Sequence, residues 1–378
     1  MRQASPSERL DSKRKGSWHR WSMKRASVLL LSVALAEVLL RGALILRVHL
    51  GPPASCGLRP ELLARLISAY SQRPSPLPPG QGGLIPDAHR GYRNAPGVRD
   101  FEMQDTVVST NSRGIRGARE YAVPKPPSVA RIVALGDSVT YGVGVPDDAT
   151  WPAQLEAALP GTEVVNLGEP AYAHDQMYFA LSDDGLAFQP DAVILGFYAN
   201  DLLRDELTFY CSEKPRFTLT PGGWQIENQP VPSPWDAYDR YRRLPLVYAI
   251  PHVLFDALTQ PALDEHSGEE RATEIFRRMR QLTEAAGARF IIVNMPDHVE
   301  EPPETRGFFY EYCARTNTEC VDAWPLFRPA AGTDDVRELR ARYLRPQDPF
   351  HYSRGGYAVV AEALRRHLTE HPIRRQGK

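Results

Sequence analysis

The chain is poor in cysteine: Cys56, Cys211, Cys313 and Cys320 are the only four in 378 residues. None forms a C-x-x-C pair, which argues against a thiolate zinc site. No metal and no cofactor is expected. Four cysteines allow three pairings. Cys313 and Cys320 lie close enough to bridge a helix end to the next strand; the alternative is that the cysteines are small buried hydrophobes. An excess of one charge is also missing. Lys and Arg number 45 against 46 Asp and Glu, a net of −1, which argues against a nucleic-acid partner. Gly142-x-Gly144 lacks the Lys-Ser/Thr of a phosphate loop and the third glycine of a dinucleotide fingerprint, so no nucleotide is expected. No internal repeat occurs.

What is present begins with charge asymmetry. Residues 1–25 hold eight Lys/Arg against Glu8 and Asp11, a local net of +6. An apolar run over 26–46 follows, about the length that crosses a bilayer as a helix. Glu37 and Arg41 interrupt it, four apart and on one helical face. The basic arm predicts a cytoplasmic amino terminus and export of the rest. A retained single-pass anchor is the leading expectation. A cleaved signal peptide, with Ala34-Leu-Ala36 as its site, and a buried or interfacial helix are the alternatives.

Composition then divides the chain. Residues 47–86 are rich in Pro, Gly and Ser and read as a linker. Residues 87–129 carry short β-like pieces such as Thr106-Val-Val108 and read as a small β appendage. From 130 to 372 strands and helices alternate. Apolar runs at Ile132–Leu135, Glu163–Leu167, Ala192–Phe197, Arg289–Met295 and Glu319–Asp322 predict strands. Helices are predicted at Trp151–Leu159, Gln176–Phe188, Gly268–Ala286, Pro303–Thr316 and Gly355–Leu368. This alternation predicts an α/β fold, a parallel sheet of five strands with helices on both faces; doubly wound, it would take the order 2-1-3-4-5. About 204–267 has no place in such a unit and reads as a lid-like insertion. Inside it, 217–226 predicts a hairpin about Pro-Gly-Gly, and Leu244–Leu258 an apolar helix broken by Pro251.

Ligands of open α/β sheets sit at the carboxyl ends of the strands. Ser138 follows the first strand, Gly168 the second, Asn200 and Asp201 the third, and Asp348-x-x-His351 the fifth. A serine hydroxyl needs a base to become a nucleophile, and His351 is of the right type. Asp348 can take the other imidazole N–H and fix the tautomer. The Ser138 and Gly168 N–H groups and the Asn200 amide can serve an acyl oxyanion. As isolated features, Gly168 reads as a turn glycine, Asn200 as a cap, and Asp348-x-x-His351 as a cap of the last helix. His298, after the fourth strand, is a candidate substrate contact. His174 is another, with a surface histidine as its alternative.

In this order the blocks resemble the SGNH (GDSL-type) hydrolase family. Gly136-Asp-Ser138 resembles its first block, Gly168 its second, Gly196-Phe-Tyr-Ala-Asn-Asp201 its third and Asp348-x-x-His351 its last, over about 130–370. Val139 replaces the usual leucine, and Glu169-Pro-Ala171 is less glycine-rich than is common. The resemblance implies a flavodoxin-like sheet and serine esterase or acyl-transfer chemistry without a metal. Its catalytic serine, aspartate and histidine fall on Ser138, Asp348 and His351, and its oxyanion-hole glycine and asparagine on Gly168 and Asn200. The expectation is an extracytoplasmic, membrane-anchored esterase of O-acyl groups, its substrate an acyl ester or O-acylated carbohydrate. An O-acyltransferase using the same residues and a silent glycan-binding domain are the alternatives.

Overall fold

The computed structural model describes residues 6–51, 56–57, 59–71, 83–260, 263, 266, 268–296 and 307–373, with side chains from 25 onward except at 349. Two compact units divide the chain: residues 74–236 with 261–378, and residues 1–73 with 237–260.

The larger unit is built on five parallel strands: β1 (Ala130–Leu135), β2 (Thr162–Asn166), β3 (Ala192–Phe197), β4 (Arg289–Asn294) and β5 (Glu319–Asp322). Their order is β5-β4-β3-β1-β2, the doubly wound order expected. Both faces of the sheet are buried, which is why the strands read as unbroken apolar runs. In β1, Ile132 and Ala134 enter one core and Val133 and Leu135 the other, the period of two that pleating imposes. On the first face packs the last helix, Arg354–Glu370. Ser353 caps it through the Gly356 N–H at 3.3 Å, and Tyr357, Val360, Ala361, Leu364 and Leu368 form its buried stripe. On the second face, helix Glu269–Ala285 buries Ala272, Ile275, Phe276 and Met279. Helix Phe308–Thr316 is joined to β5 by the Cys313–Cys320 disulfide.

Several boundaries differ from expectation. The helix predicted over 176–188 runs from His174 to Asp183, then becomes a 3₁₀ turn over Gly185–Phe188. The segment 47–86 is not only linker: helix Glu61–Ser71 buries Ala64, Leu66, Ile67 and Ala69, and a strand begins at Leu84. An amphipathic spacing within a Pro-rich neighbourhood hid it. The appendage is present as two hairpins, Leu84–Asp87 with Gly91–Asn94 and Phe101–Met103 with Thr106–Val108. The insertion is split rather than one lid-like body. Its hairpin, Arg216–Thr220 with Gly223–Glu227, lies in the sheet-containing unit, whereas 237–260 belong to the other.

The smaller unit holds the long amino-terminal helix, Pro6–Leu50, helix Glu61–Ser71 and helix Leu246–Thr259. By length and composition Arg25–Leu50 is able to cross a membrane. Leu246–Thr259 continues through Pro251 instead of breaking there. Proline removes one backbone bond, but the face formed by Leu246, Ala249 and Val253 is buried on both sides of it and holds the two halves in line.

Candidate active site

β1 ends in a turn that only glycine fits. A Cβ on Gly136 would lie 2.1 Å from Thr140 Oγ1 and 2.6 Å from Thr140 Cβ. The chain then enters a one-turn helix, Ser138–Tyr141. Asp137 caps it: its buried carboxylate accepts the Val139 N–H at 2.8 Å, while its carbonyl accepts Thr140 and Tyr141 N–H. Among the described residues this leaves the Ser138 N–H as the unspent donor of the turn.

Ser138 Oγ lies 2.8 Å from His351 Nε2, and His351 Nδ1 lies 2.6 Å from Asp348 Oδ2. With Nδ1 donating to the carboxylate, Nε2 is left as the acceptor for the serine hydroxyl. Asp348 and His351 stand not directly after β5 but on a short strand, Asp348–Tyr352, paired antiparallel with Leu344–Arg345. Alternation along that strand separates neighbours, so a spacing of three rather than two needs local irregularity, and the ladder shifts register between Leu344 and Arg345.

Partial burial pushes the Asp348 carboxyl up. The His351 ring, Gln104 Nε2 at 3.2 Å and the Phe350 N–H at 3.3 Å outweigh it, and the group is held below the ordinary aspartate range. Arg345 adds a contact at 3.4 Å and is itself held by Asp105 at 3.1 Å. Gln104 and Asp105 sit at the tip of the second appendage hairpin. Nothing in the sequence marks them, because their partners are more than 200 residues away.

Register carries the remaining candidates to the same edge. Ala134 pairs with Asn166 on β2, and Leu135 with Leu195 on β3, so Ser138, Gly168 and Asn200 follow adjacent strand ends. Asn200 is exposed, opens helix Asp201–Asp205 and makes no cap bond with its side chain. The Gly168 N–H donates to Asn166 Oδ1 at 3.0 Å and so closes the turn. A Cβ there would meet Tyr141 N at 2.4 Å, so the glycine is required by the approach of the serine helix. Three residues on, Ala171 holds a left-handed φ of 65°, a strained choice for alanine.

His174 is not a substrate contact, nor is it on the surface. It is wholly buried, its Nδ1 lies 2.6 Å from Asp205 Oδ2, and its ring stacks on Phe197 and meets Phe276 edge-on. The partner that makes burial tolerable comes 31 residues later. His298 lies outside the described residues.

The same buried layer reaches the serine turn. Arg204 Nη1 lies 3.0 Å from Asp137 Oδ2, donates to the Tyr172 carbonyl at 3.0 Å, and is ion-paired to Asp201 at 2.6 Å. Burial, then the adjacent Asp137 charge, push the Asp201 carboxyl well above the ordinary range, against the pull of Arg204. Arg204 stays charged: burial opposes its charge, but Asp201 and Asp137 outweigh that. Beside it, Lys214 Nζ meets Asp175 Oδ2 at 2.5 Å, and burial raises Asp175 to about 7.

Glu169, next to Gly168, is 4% exposed. Its Oε2 accepts the Asn94 N–H at 3.0 Å, and no partner for Oε1 exists among the described residues. Burial pushes it up to about 8. A raised folded-state value means stability present below the unfolded value near 4.5 and lost as pH rises through about 8. Glu169→Gln is therefore expected to raise the melting temperature at pH 9 relative to the parent, by a few kcal/mol of stability, with the gap closing at pH 5. Thermal unfolding at the two pH values checks it; a gap independent of pH refutes it.

The model of the GDSL-like lipase/acylhydrolase family matches residues 134–359, more than half of the chain. Solved structures resemble it at low identity. A lipolytic G-D-S-L family member from Veillonella parvula is 13% identical, covering 64% of this chain and 99% of its own at a TM-score of 0.38. A catalytic mutant of an acetylxylan esterase from Geobacillus stearothermophilus is 16% identical, covering 66% and 98% at 0.39. A GDSL-like lipase from Bacteroides thetaiotaomicron is 14% identical, covering 67% and 93% at 0.36. No curated protein matches. With a five-stranded doubly wound sheet and a serine at the end of its first strand, this chain belongs to the GDSL-like lipase/acylhydrolase family and is a serine hydrolase.

Proposed function

We propose that the protein cleaves short-chain O-acyl esters, of the acetyl type, outside the cytoplasm, through Ser138, His351 and Asp348. The observation that supports this most is the relay of 2.8 Å and 2.6 Å contacts from Ser138 Oγ through the imidazole to the carboxylate. In this reading Ser138 Oγ attacks the ester carbonyl while His351 Nε2 takes its proton. The carbonyl oxygen becomes an oxyanion beside the Ser138 N–H and the Asn200 amide; the Gly168 N–H joins them only after leaving Asn166. His351 returns the proton to the alcohol as it departs. Water then attacks the acyl-serine by the same relay, releasing the acid and restoring the serine. Asp348, held ionised by its neighbours, keeps the ring oriented and stabilises the imidazolium. The apolar helix over Arg25–Leu50 supports an anchored protein, and the basic arm before it supports export of the rest.

The test uses the full chain in detergent micelles with an acetyl ester, with and without an unacetylated polysaccharide. Acetate release that a serine-directed phosphonate abolishes supports hydrolysis. Acetyl groups appearing on the polysaccharide instead overturn it in favour of transfer.

A further inference from the structure

The two charges within the apolar amino-terminal helix are matched, group by group, by residues of the insertion. Arg41 Nη2 lies 2.6 Å from Glu37 Oε1. Glu37 Oε2 accepts the Val247 N–H at 2.9 Å, in the first turn of helix Leu246–Thr259. A carboxylate there takes a donor that no intrahelical carbonyl can satisfy and faces the positive end of the helix. Arg41 donates to the Arg242 carbonyl at 2.9 Å, the Leu244 carbonyl at 3.0 Å and the Tyr70 hydroxyl. One helical turn of Pro6–Leu50 thus holds the junction that opens helix Leu246–Thr259. Leu40 and Leu44 pack beside that junction with Leu246, Ala249 and Val253.

The depth of this junction is set by helix rise. Glu37 is twelve residues past Arg25, about 18 Å along the axis at 1.5 Å per residue. A hydrocarbon layer of about 30 Å that begins near Arg25 therefore encloses positions 37–44 of this helix. A carboxylate at that depth persists only where it is paired, as Glu37 is with Arg41. The outward face of Leu246–Thr259 is mostly apolar as well, with the polar His252 exposed on it. Tyr248, Leu254, Phe255 and Leu258 are 57–86% exposed, and so are Val28 to Leu31 and Val38 and Leu39 on the longer helix. In water such a surface is a liability; against acyl chains it is the expected composition.

We propose that helix Leu246–Thr259 is embedded in the outer half of the lipid bilayer beside the amino-terminal helix, with the Glu37–Arg41 pair as the polar lock that holds it there. The occupant of the exposed face is lipid, because that face continues the apolar surface of the spanning helix itself. This inference rests on the anchored reading of residues 26–46.

The test places one environment-sensitive fluorophore on an added cysteine in the full chain, reconstituted into phosphatidylcholine vesicles. Leu258→Cys reports the insertion helix, Leu31→Cys the anchor, and Leu219→Cys a hairpin site that faces water. Spin labels on the acyl chains are expected to quench 258 and 31, and aqueous iodide to quench 219. Iodide quenching at 258 with lipid quenching at 31 overturns the embedded helix while sparing the anchor. Iodide quenching at 31 as well removes the anchor, and this inference with it. Arg41→Leu, which makes the spanning helix more apolar, is expected to cut lipid quenching at 258 by roughly threefold and leave 31 unchanged. Unchanged quenching at 258 overturns the lock.

Discussion

Ser138→Ala is expected to lower kcat for a short acyl ester by about 10⁴- to 10⁶-fold, leaving KM near its starting value. Alanine removes the atom that bonds to the carbonyl carbon and leaves the ester's binding surface in place. What remains comes from amide donors and positioning, and it should be insensitive to a serine-directed phosphonate. His351→Ala in the same background should add almost nothing, since two members of one relay do not fail additively. Asp348→Asn should cost about 10⁴ by favouring the wrong ring tautomer, with the fold intact. Steady-state kinetics on the four proteins decides. Turnover in Ser138→Ala within tenfold of the parent refutes the nucleophile, and additive losses in the double variant refute the relay.

Arg204→Met should have the largest effect on stability. Arg204 lies within 3.0 Å of Asp137 and of Asp201, two carboxyl groups with no exposure. Methionine keeps the volume and removes the only cation that faces both among the described ion pairs. Leaving a buried carboxylate without its partner costs about 3–5 kcal/mol. For a domain of this size that is a fall of roughly 10 °C in melting temperature. Arg366→Met, which breaks the pair with Glu362 on an exposed helix face, is the control and should change it by a degree or two. Because Asp137 also caps the serine helix, the Arg204 variant should lose kcat well before it melts. Equal melting temperatures for the two variants would show that the buried cluster carries no such strain.

The five strands were legible because strands buried on two faces cannot hide: Ile132–Leu135 and Ala192–Phe197 have no polar residue to confuse the pattern. Ser138 was legible because it follows a buried strand, and His351 because Asp348-x-x-His351 resembles the family's last block, although that pair stands on a hairpin strand and not directly after β5. Local reading failed where a side-chain partner or packing decides. His174 looked like a polar loop residue until Asp205 and two phenylalanines enclosed it. Gly168 looked like a backbone donor, but the Asn166 amide oxygen two residues earlier takes its N–H. Pro251 looked like a break, yet side-chain burial on both sides outweighs one missing bond. Arg204 and Gln104 carried no signal, since an arginine in a helix and a glutamine in a hairpin tip are ordinary until their carboxylate partners are in place.

The hairpin at 101–108 changes what counts as the smallest working piece. The family model begins at residue 134, which invites trimming everything before it. Trimmed there, the chain would keep Ser138, His351 and Asp348, the relay proposed above, and lose two of the hands that steady the carboxylate, Gln104 directly and Asp105 through Arg345. Its acid-side activity profile would drift upward as Asp348 relaxed toward an ordinary aspartate. Anyone cutting this hydrolase down for expression or engineering should start upstream of residue 100.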